Sequence, residues 1–180
     1  MDDPTDNKKV IFNLMGTLLM LVQDFEFIMR HSVRVTFAHR SDLTADKIFA
    51  EDKQTLGTLL KDLAKKASIP EETAKLLARV LADRNVFIHR LRYQKWFDLE
   101  TTPGRNAVWA FLGQFSNDLT RATAILMAAQ HQFAQTVGFE SADFVKFRTS
   151  KFWREMVEPE KPQASQIRRR SYPSTKHGQG

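Results

Sequence analysis

The chain has 180 residues, no cysteine and a formal net charge of +6. This length fits one domain with a tail, and the low counts of glycine and proline, 7 and 6, favour helices over a turn-rich β fold. The lack of cysteine excludes disulfide scaffolds, thiol nucleophiles and thiolate metal sites. Part of the positive charge is concentrated near the C-terminus, where no acid follows Glu160. The net charge allows binding to a polyanion but does not require it.

The first predicted helix covers residues 8–39. Its apolar residues recur at spacings of three and four, and they are Ile11, Leu14, Met15, Leu18, Val22, Phe25, Met29 and Val33. The longest strongly apolar stretch, residues 14–22, is shorter than the about 20 residues that a membrane span needs. The polar, acidic start of the sequence is unlike a signal peptide. We therefore expect a buried helix in a cytoplasmic protein without membrane contact.

The same spacing predicts three further helices and a short fourth one, over residues 53–66, 68–99, 105–137 and 140–157. Ser68 and Pro70 carry the signals of a helix start, and residues 101–104, Thr-Thr-Pro-Gly, break the chain. From residue 158 the sequence is polar and basic, which predicts disorder. The expected fold is all-α, an up-and-down bundle of four to five helices over residues 1–157, followed by a disordered basic C-terminal tail over residues 158–180.

Arg84 has an unusual position in the helix predicted over residues 68–99, because it falls near the middle of the apolar stripe. That stripe contains Leu76, Leu77, Val80, Leu81, Phe87, Ile88 and Leu91. Beside the stripe, at helical spacing, lie Asn85, His89, Arg92 and Trp96. A guanidinium that is removed from water requires a partner. We therefore expect the Arg, the Asn and the His to surround one shared pocket or interface.

The three residue types suit metal-free cleavage of RNA. Histidine transfers protons near neutral pH, arginine binds phosphate and stabilises the charge that develops in phosphoryl transfer, and asparagine can orient the imidazole. Only RNA has the 2′-hydroxyl that this reaction uses. The spacing alone rather favours a structural Arg84 paired with an acid from another helix and a His89 satisfied at the surface, and both interpretations stay open.

Residues 81–89, Leu-Ala-Asp-Arg-Asn-Val-Phe-Ile-His, resemble the signature of the HEPN domain family. That signature is an Arg, usually followed by a polar residue, and then a His after a gap of four to six residues. Here the gap is four and the polar residue is Asn85. Residues 55–63 and the long helix after the break at 101–104 also resemble segments of this family, so that the resemblance covers residues 8–137.

The resemblance implies a helical bundle that forms a homodimer, in which two copies of the motif meet in one composite active site. It implies a metal-independent endoribonuclease of toxin–antitoxin or antiviral defence systems, without a cofactor. His89 would transfer protons, Arg84 would bind the phosphate and its transition state, and Asn85 would orient the imidazole or bind substrate. The expected products are 2′,3′-cyclic phosphate and 5′-hydroxyl ends.

Two further residues are candidates for RNA binding. Arg92 extends the face of His89, and Trp96 has a ring on which a base can stack, although such rings also belong to cores. Some members of the family lack catalysis, and the alternative function is therefore a non-catalytic helical module that binds RNA or a partner protein. A nucleotidyltransferase-type antitoxin or another defence protein is a further candidate partner. No metal site is expected, since the remaining histidines lack suitable carboxylates nearby in the pattern.

Overall fold

The structure, a computed structural model, describes residues 4–36, 55–136 and 148–169. Its helices are α1 (Pro4–His31), α2 (Leu56–Lys66), α3 (Glu71–Asn85), α4 (Thr102–Thr136) and the short α5 (Lys161–Ala164). Strand content within the described residues is limited to β1 (Ala67–Ser68), which pairs antiparallel with β2 (Arg168–Arg169). The predicted all-α fold is confirmed.

Several helices continue into turns of a different helical type. A π turn over Ser32–Thr36 extends α1. The end of α3 passes into a π turn over Val86–Arg90 and then a 3₁₀ turn over Leu91–Tyr93. Near the C-terminus, a π turn over Trp153–Val157 precedes α5. A π turn uses i→i+5 bonds and shifts the positions of the side chains that follow it.

The two longest helices, α1 and α4, run in the same direction. At one end, the ammonium of Lys8 lies 2.7 Å from the carboxylate of Glu100, which is two residues before α4. Towards the other end, the side-chain amide of Gln130 donates to the carbonyl oxygen of Ile28 over 3.0 Å. These contacts place the two helices side by side along most of their length.

Helix α3 runs antiparallel to α4. Arg79 pairs with Asp118, whereas Phe87, two turns further along the chain, packs on Phe115 with ring centroids 5.7 Å apart. The three main helices α1, α3 and α4 therefore alternate in direction, as an up-and-down bundle requires. The largest fully buried side chains of the bundle are Leu18, Phe25, Met29, Leu59, Leu63, Leu112, Phe115, Leu119, Ile125, Leu126 and His131.

The helix that carries the motif differs from its prediction at both ends. Ser68 does not cap it, because this residue pairs with Arg168 in the small sheet, and α3 begins at Glu71 after Pro70. The acids of the first turn, among them Glu71, stabilise the positive end of the helix dipole. The α-helix does not reach residue 99, since the backbone at Arg90 leaves helical geometry.

Part of the segment predicted to be a disordered tail is folded. Residues 158–169 form a 3₁₀ turn, α5 and β2, and they bury Ala164 and Ile167. The pairing of β2 with β1 joins this segment to the chain between α2 and α3. Composition suggested disorder because apolar residues are sparse here, but the few present are packed into the core. The predictions for residues 37–39, 53–54, 137–147 and 170–180 lie outside the described residues.

Within the described chain, one helical stretch, Asn7–Arg34, is long and apolar enough to cross a membrane by length and composition, with a mean hydropathy of 1.4. Leu18, Phe25 and Met29 of this stretch are fully buried against the other helices, whereas only 22% of its apolar window is buried. A mostly buried core helix and a signal sequence near the N-terminus pass the same test of length and composition, so a single such helix is weak evidence for a membrane span. The cytoplasmic location and the lack of membrane contact stay predictions.

Candidate active site

Arg84 lies where the α-helical part of the motif helix ends. The amide of Val86 still donates to the carbonyl oxygens of Ala82 and Asp83, and the π turn begins at that residue. The Arg84 side chain is 22% exposed, so that its guanidinium lies at the edge of the bundle rather than in open solvent. Such a half-buried cation needs acceptors for its N–H groups.

The π turn brings the side chains of Arg84 and His89 together. In an α-helix, residues five apart point in very different directions, whereas a π turn joins i to i+5. Nη1 of Arg84 lies 3.1 Å from Nε2 of His89 and donates to Oδ1 of Asn85 over 3.3 Å. The three residues predicted as a site therefore form one contiguous cluster.

The contact between Arg84 and the exposed His89 can be a hydrogen bond in only one tautomer of the imidazole. A guanidinium has only donors, and therefore Nε2 of His89 must be the acceptor. A histidine that accepts at Nε2 is neutral and carries its proton on Nδ1. In this arrangement His89 presents an unprotonated nitrogen, which is the form that a general base requires.

Glu26 of α1 supplies the acid that a half-buried Arg84 requires. One carboxylate oxygen, Oε1, lies 2.9 Å from Nε and 2.8 Å from Nη2 of Arg84. The other oxygen, Oε2, lies 3.5 Å from Nη2 of Arg30, one turn further along α1. The Glu26 side chain is only 15% exposed, so the pair is shielded from most of the solvent.

Sequence reasoning required a partner for Arg84 but did not identify Glu26. The two residues are 58 positions apart, and helical spacing relates only neighbours on the same helix. A signal was nevertheless present, because Glu26 is an acid between two phenylalanines, Phe25 and Phe27, in a largely apolar helix. An acid on the margin of an apolar stripe is a candidate partner for an arginine on the margin of another.

Arg92 and Trp96 are not joined to this cluster by a continuous helix. Arg92 is exposed and lies in the 3₁₀ turn that follows the π turn. Trp96 lies beyond the end of the helix, where its half-buried ring packs 5.0 Å from that of Phe111. The helical face on which both residues were predicted to continue the site ends at the π turn.

An open depression lies on α1 next to the cluster. Its volume is about 460 Å³, and its lining consists of Gln23, Asp24, Glu26, Phe27 and Arg30. Glu26, which pairs with Arg84, is the residue of this lining that contacts the cluster. Among the described residues, no group of three or more His, Cys, Asp or Glu side chains has the arrangement of a metal site.

A second ion pair lies on α3, separate from the cluster. Nε of Arg79 donates to Oδ2 of Asp118 over 3.0 Å. Asp83 is close to this pair, and burial, together with the charge of Asp118, raises the pKa of the Asp83 carboxyl, an effect that Arg79 opposes. Arg79 and Arg84 are thus two ion-paired arginines on one helix, and only Arg84 contacts a histidine within the described part of the chain.

Comparisons of the chain with models of protein families, with curated proteins and with solved structures give no match. Membership of the HEPN family therefore stays a prediction from the resemblance of residues 81–89 and of the helices around them.

Proposed function

We propose that this protein is a metal-independent endoribonuclease of HEPN type that acts as a homodimer with a composite active site. The observation that carries the proposal is the 3.1 Å contact between Nη1 of Arg84 and Nε2 of His89, with Asn85 on the same guanidinium nitrogen. It joins a proton acceptor to a phosphate-binding cation. A role in toxin–antitoxin or antiviral defence rests on the resemblance alone.

The proposed reaction uses these groups in defined roles. Nε2 of His89 gives up its hydrogen bond with Arg84 and accepts a hydrogen bond from the ribose 2′-hydroxyl. It then takes the proton of that hydroxyl while the 2′-oxygen attacks phosphorus. Nη1 of Arg84, thus released, donates to a phosphoryl oxygen and stabilises the charge of the phosphorane. The bond from phosphorus to the 5′-oxygen breaks, and that oxygen takes up a proton, which leaves a 2′,3′-cyclic phosphate and a 5′-hydroxyl.

A homodimer supplies the second proton-transfer group. One imidazole, in the neutral form that accepts from Arg84, takes up the proton of the 2′-hydroxyl, and the imidazole of the second copy, released from its own arginine and protonated, donates a proton to the leaving oxygen. On α1, Phe12, Leu19 and Glu26 follow at seven-residue spacing and hence share one face. Phe12 and Leu19 are exposed, at 57% and 43%, so a second copy that packs on them would lie next to Arg84.

The test is a cleavage assay with EDTA on a mixed, structured RNA, comparing the wild type with His89→Ala. We expect cleavage by the wild type only, with cyclic phosphate and 5′-hydroxyl ends. Arg84→Ala should also lose activity, whereas Arg79→Ala, which breaks the separate ion pair on the same helix, should retain it. Equal cleavage by the wild type and His89→Ala would refute the role of His89, provided that circular dichroism shows both to be folded.

One observation favours the non-catalytic alternative. Glu26 already engages Arg84 through Nε and Nη2, which is the ion pair that a purely structural arginine needs. In that case the protein would bind RNA or a partner protein without cleaving it, and the affinity would be unaffected by His89→Ala. A binding assay with the same RNA, with no product formed by the wild type, would establish this second function.

A further inference from the structure

The guanidinium of Arg84 is held along one edge by a residue that the motif does not contain. Nε and Nη2 form that edge: Nε donates to Oε1 of Glu26 over 2.9 Å, and Nη2 lies 2.8 Å from the same oxygen. A guanidinium is planar and rigid, so fixing one edge fixes the direction of its third nitrogen. That third nitrogen is Nη1, which lies 3.1 Å from Nε2 of His89.

We propose that Glu26 is a positioning residue that acts through Arg84: it directs Nη1 to His89 and thereby keeps the imidazole in the form that is protonated at Nδ1. Its relevance to cleavage rests on the proposed function, whereas its effect on His89 does not. Asn85 cannot perform this task alone, because its single contact, to Nη1 over 3.3 Å, lets the guanidinium rotate about that nitrogen.

Glu26 is itself fixed well enough to position another side chain. Its neighbours on α1, Phe25 and Met29, are completely buried in the core, which anchors this part of the helix. Oε2 lies 3.5 Å from Nη2 of Arg30, so the second carboxylate oxygen also has a charged neighbour. The Glu26 side chain is 15% exposed, and low exposure strengthens its electrostatic interaction with Arg84.

The arrangement leaves Arg84 with a donor for substrate. A guanidinium has five N–H groups. Among the described residues, the hydrogen bonds to Glu26, Asn85 and His89 involve three of them, and Nη2 lies at ion-pair distance from Glu26. The N–H of Nη2 that is turned away from Glu26 can therefore donate to a phosphoryl oxygen beside Nη1, once the reaction releases Nη1 from His89. Glu26 therefore orients the cation and does not remove it from the proposed reaction.

The experiment measures the tautomer of His89 by ¹⁵N nuclear magnetic resonance of the imidazole, at a pH where the ring is neutral. The first variant is Glu26→Gln, which removes the charge but keeps the shape. The matched control is Asp118→Asn, which removes the charged partner of Arg79, an arginine on the same helix as Arg84. We expect the wild type and Asp118→Asn to be protonated mainly at Nδ1, and Glu26→Gln to shift towards the Nε2-protonated form that is usual in water.

Two results would overturn the proposal. One is a wild-type His89 protonated mainly at Nε2, and the other is a Glu26→Gln variant with the same tautomer ratio as the wild type. If Glu26→Gln does not fold, Glu26→Asp takes its place. This variant keeps the charge on a side chain shorter by one methylene, and it should give an intermediate ratio. An unchanged ratio in Glu26→Asp would then count against the proposal.

The same variants are tested for RNA cleavage, which separates this inference from the proposed function. Misplacement of a catalytic group by about 1 Å can cost about 100-fold in rate, so we expect Glu26→Gln to lower kcat by about 10- to 100-fold with little change in KM. Glu26→Asp should recover part of the loss, and Asp118→Asn should not show it. A wild type that does not cleave RNA but has the expected tautomer would refute the nuclease proposal and leave the positioning role intact.

Discussion

At the scale of single residues, Arg84 combines an ion pair with two hydrogen-bond contacts, and its three partners are Glu26, Asn85 and His89. Glu26 neutralises its charge, Asn85 and His89 accept from one of its nitrogens, and a substrate phosphate would need a donor from the same group. Only an arginine satisfies these together, because its donors diverge from a rigid plane. One arginine can therefore form the ion pair and also take part in the proposed reaction. A lysine at this position could keep the ion pair but not the directed contact with His89.

Replacing Arg84 by lysine should separate the ion pair from the contact with His89. A lysine keeps the positive charge and can reach Glu26, but its single ammonium cannot also hold the direction of Nη1. We expect Arg84→Lys to lower kcat by about 100- to 1000-fold, the usual cost of losing a positioned donor to the transition state. Melting temperature and steady-state cleavage are measured together.

Arg79→Lys is the matched control for that substitution. Arg79 forms an ion pair on the same helix without a contact to His89 in the described structure, so it should tolerate lysine with wild-type cleavage. If Arg84→Lys cleaves RNA as fast as the wild type, the directed contact to His89 has no role in the reaction.

His31, the last residue of α1, should make the stability of the protein depend on pH. Burial lowers the pKa of its imidazole below the ordinary value of 6.5, and Nδ1 is buried without a partner in the described residues. The stability associated with neutral His31 is thus present above about pH 6.5 and is lost as the pH falls through the lowered pKa.

The variant His31→Gln cannot titrate and isolates this effect. Its free energy of unfolding should fall less than that of the wild type between pH 7 and pH 5, while the two curves run parallel between pH 7 and pH 8. Denaturant unfolding at each pH measures both slopes. Identical slopes below pH 7 would mean that His31 is not desolvated in solution.

At the scale of elements, the π turn over Val86–Arg90 explains what could and could not be predicted from the sequence. The spacing of apolar residues was sufficient to predict the main helices and to predict that Arg84 needs a partner, because both depend on residues within one or two helical turns. It placed Asn85 and His89 on one α-helical face, whereas the π turn brings His89 to Arg84. Glu26 could not be identified, since nothing in local spacing encodes a contact across 58 positions.

The beginning of α4 depends on a close approach between Gly104 and Asp98. A Cβ on Gly104 would overlap the backbone carbonyl and the side chain of Asp98. Asp98 cannot easily give way, because it accepts from the hydroxyl of Thr101 and from the amide of Glu100, bonds that also lower the pKa of its carboxyl. We expect Gly104→Ala to destabilise the protein by about 1–3 kcal/mol, the usual cost of overpacking.

Gly113, on the same helix, is the control position for the substitution of Gly104. A Cβ there meets nothing within 4 Å, so Gly113→Ala should stabilise the protein by about 0.5–1 kcal/mol, because it reduces the entropy of the unfolded chain. Thermal unfolding of both variants is measured by circular dichroism. Equal effects of the two substitutions would show that the contact with Asp98 does not constrain the start of α4.

At the scale of the whole molecule, the segment over residues 158–169 closes the bundle. It packs Ile167 into the core, pairs Glu160 with Arg121 over 3.1 Å, and bonds Gln163 to Thr73 over 2.8 Å. These contacts reach both α3 and α4. The domain boundary placed at residue 157 from composition would therefore cut through the folded part of the chain.

A chain that ends at residue 157 should be less stable than one that ends at residue 169. The loss should be at least about 2 kcal/mol, which is the burial of the Ile167 side chain alone. The chain ending at residue 169 keeps every contact described above and serves as the control. Urea unfolding of the two compares them directly, and equal midpoints would mean that the segment does not contribute to the core in solution.

The proposed dimer can be tested on the face of α1 that leads to Glu26. Leu19→Glu places a charge on the row formed by Phe12, Leu19 and Glu26, and should weaken a dimer that buries this row by about 10-fold or more. Met20→Glu is the control, since Met20 is more exposed, at 60%, but projects about 100° away around the helix. Light scattering over a range of concentrations should show a shift towards monomer for Leu19→Glu only, and cleavage should fall in parallel because each site needs two imidazoles.

A wild type that stays monomeric while it cleaves RNA would rule out the composite site, and the second proton-transfer group would then have to come from the same chain.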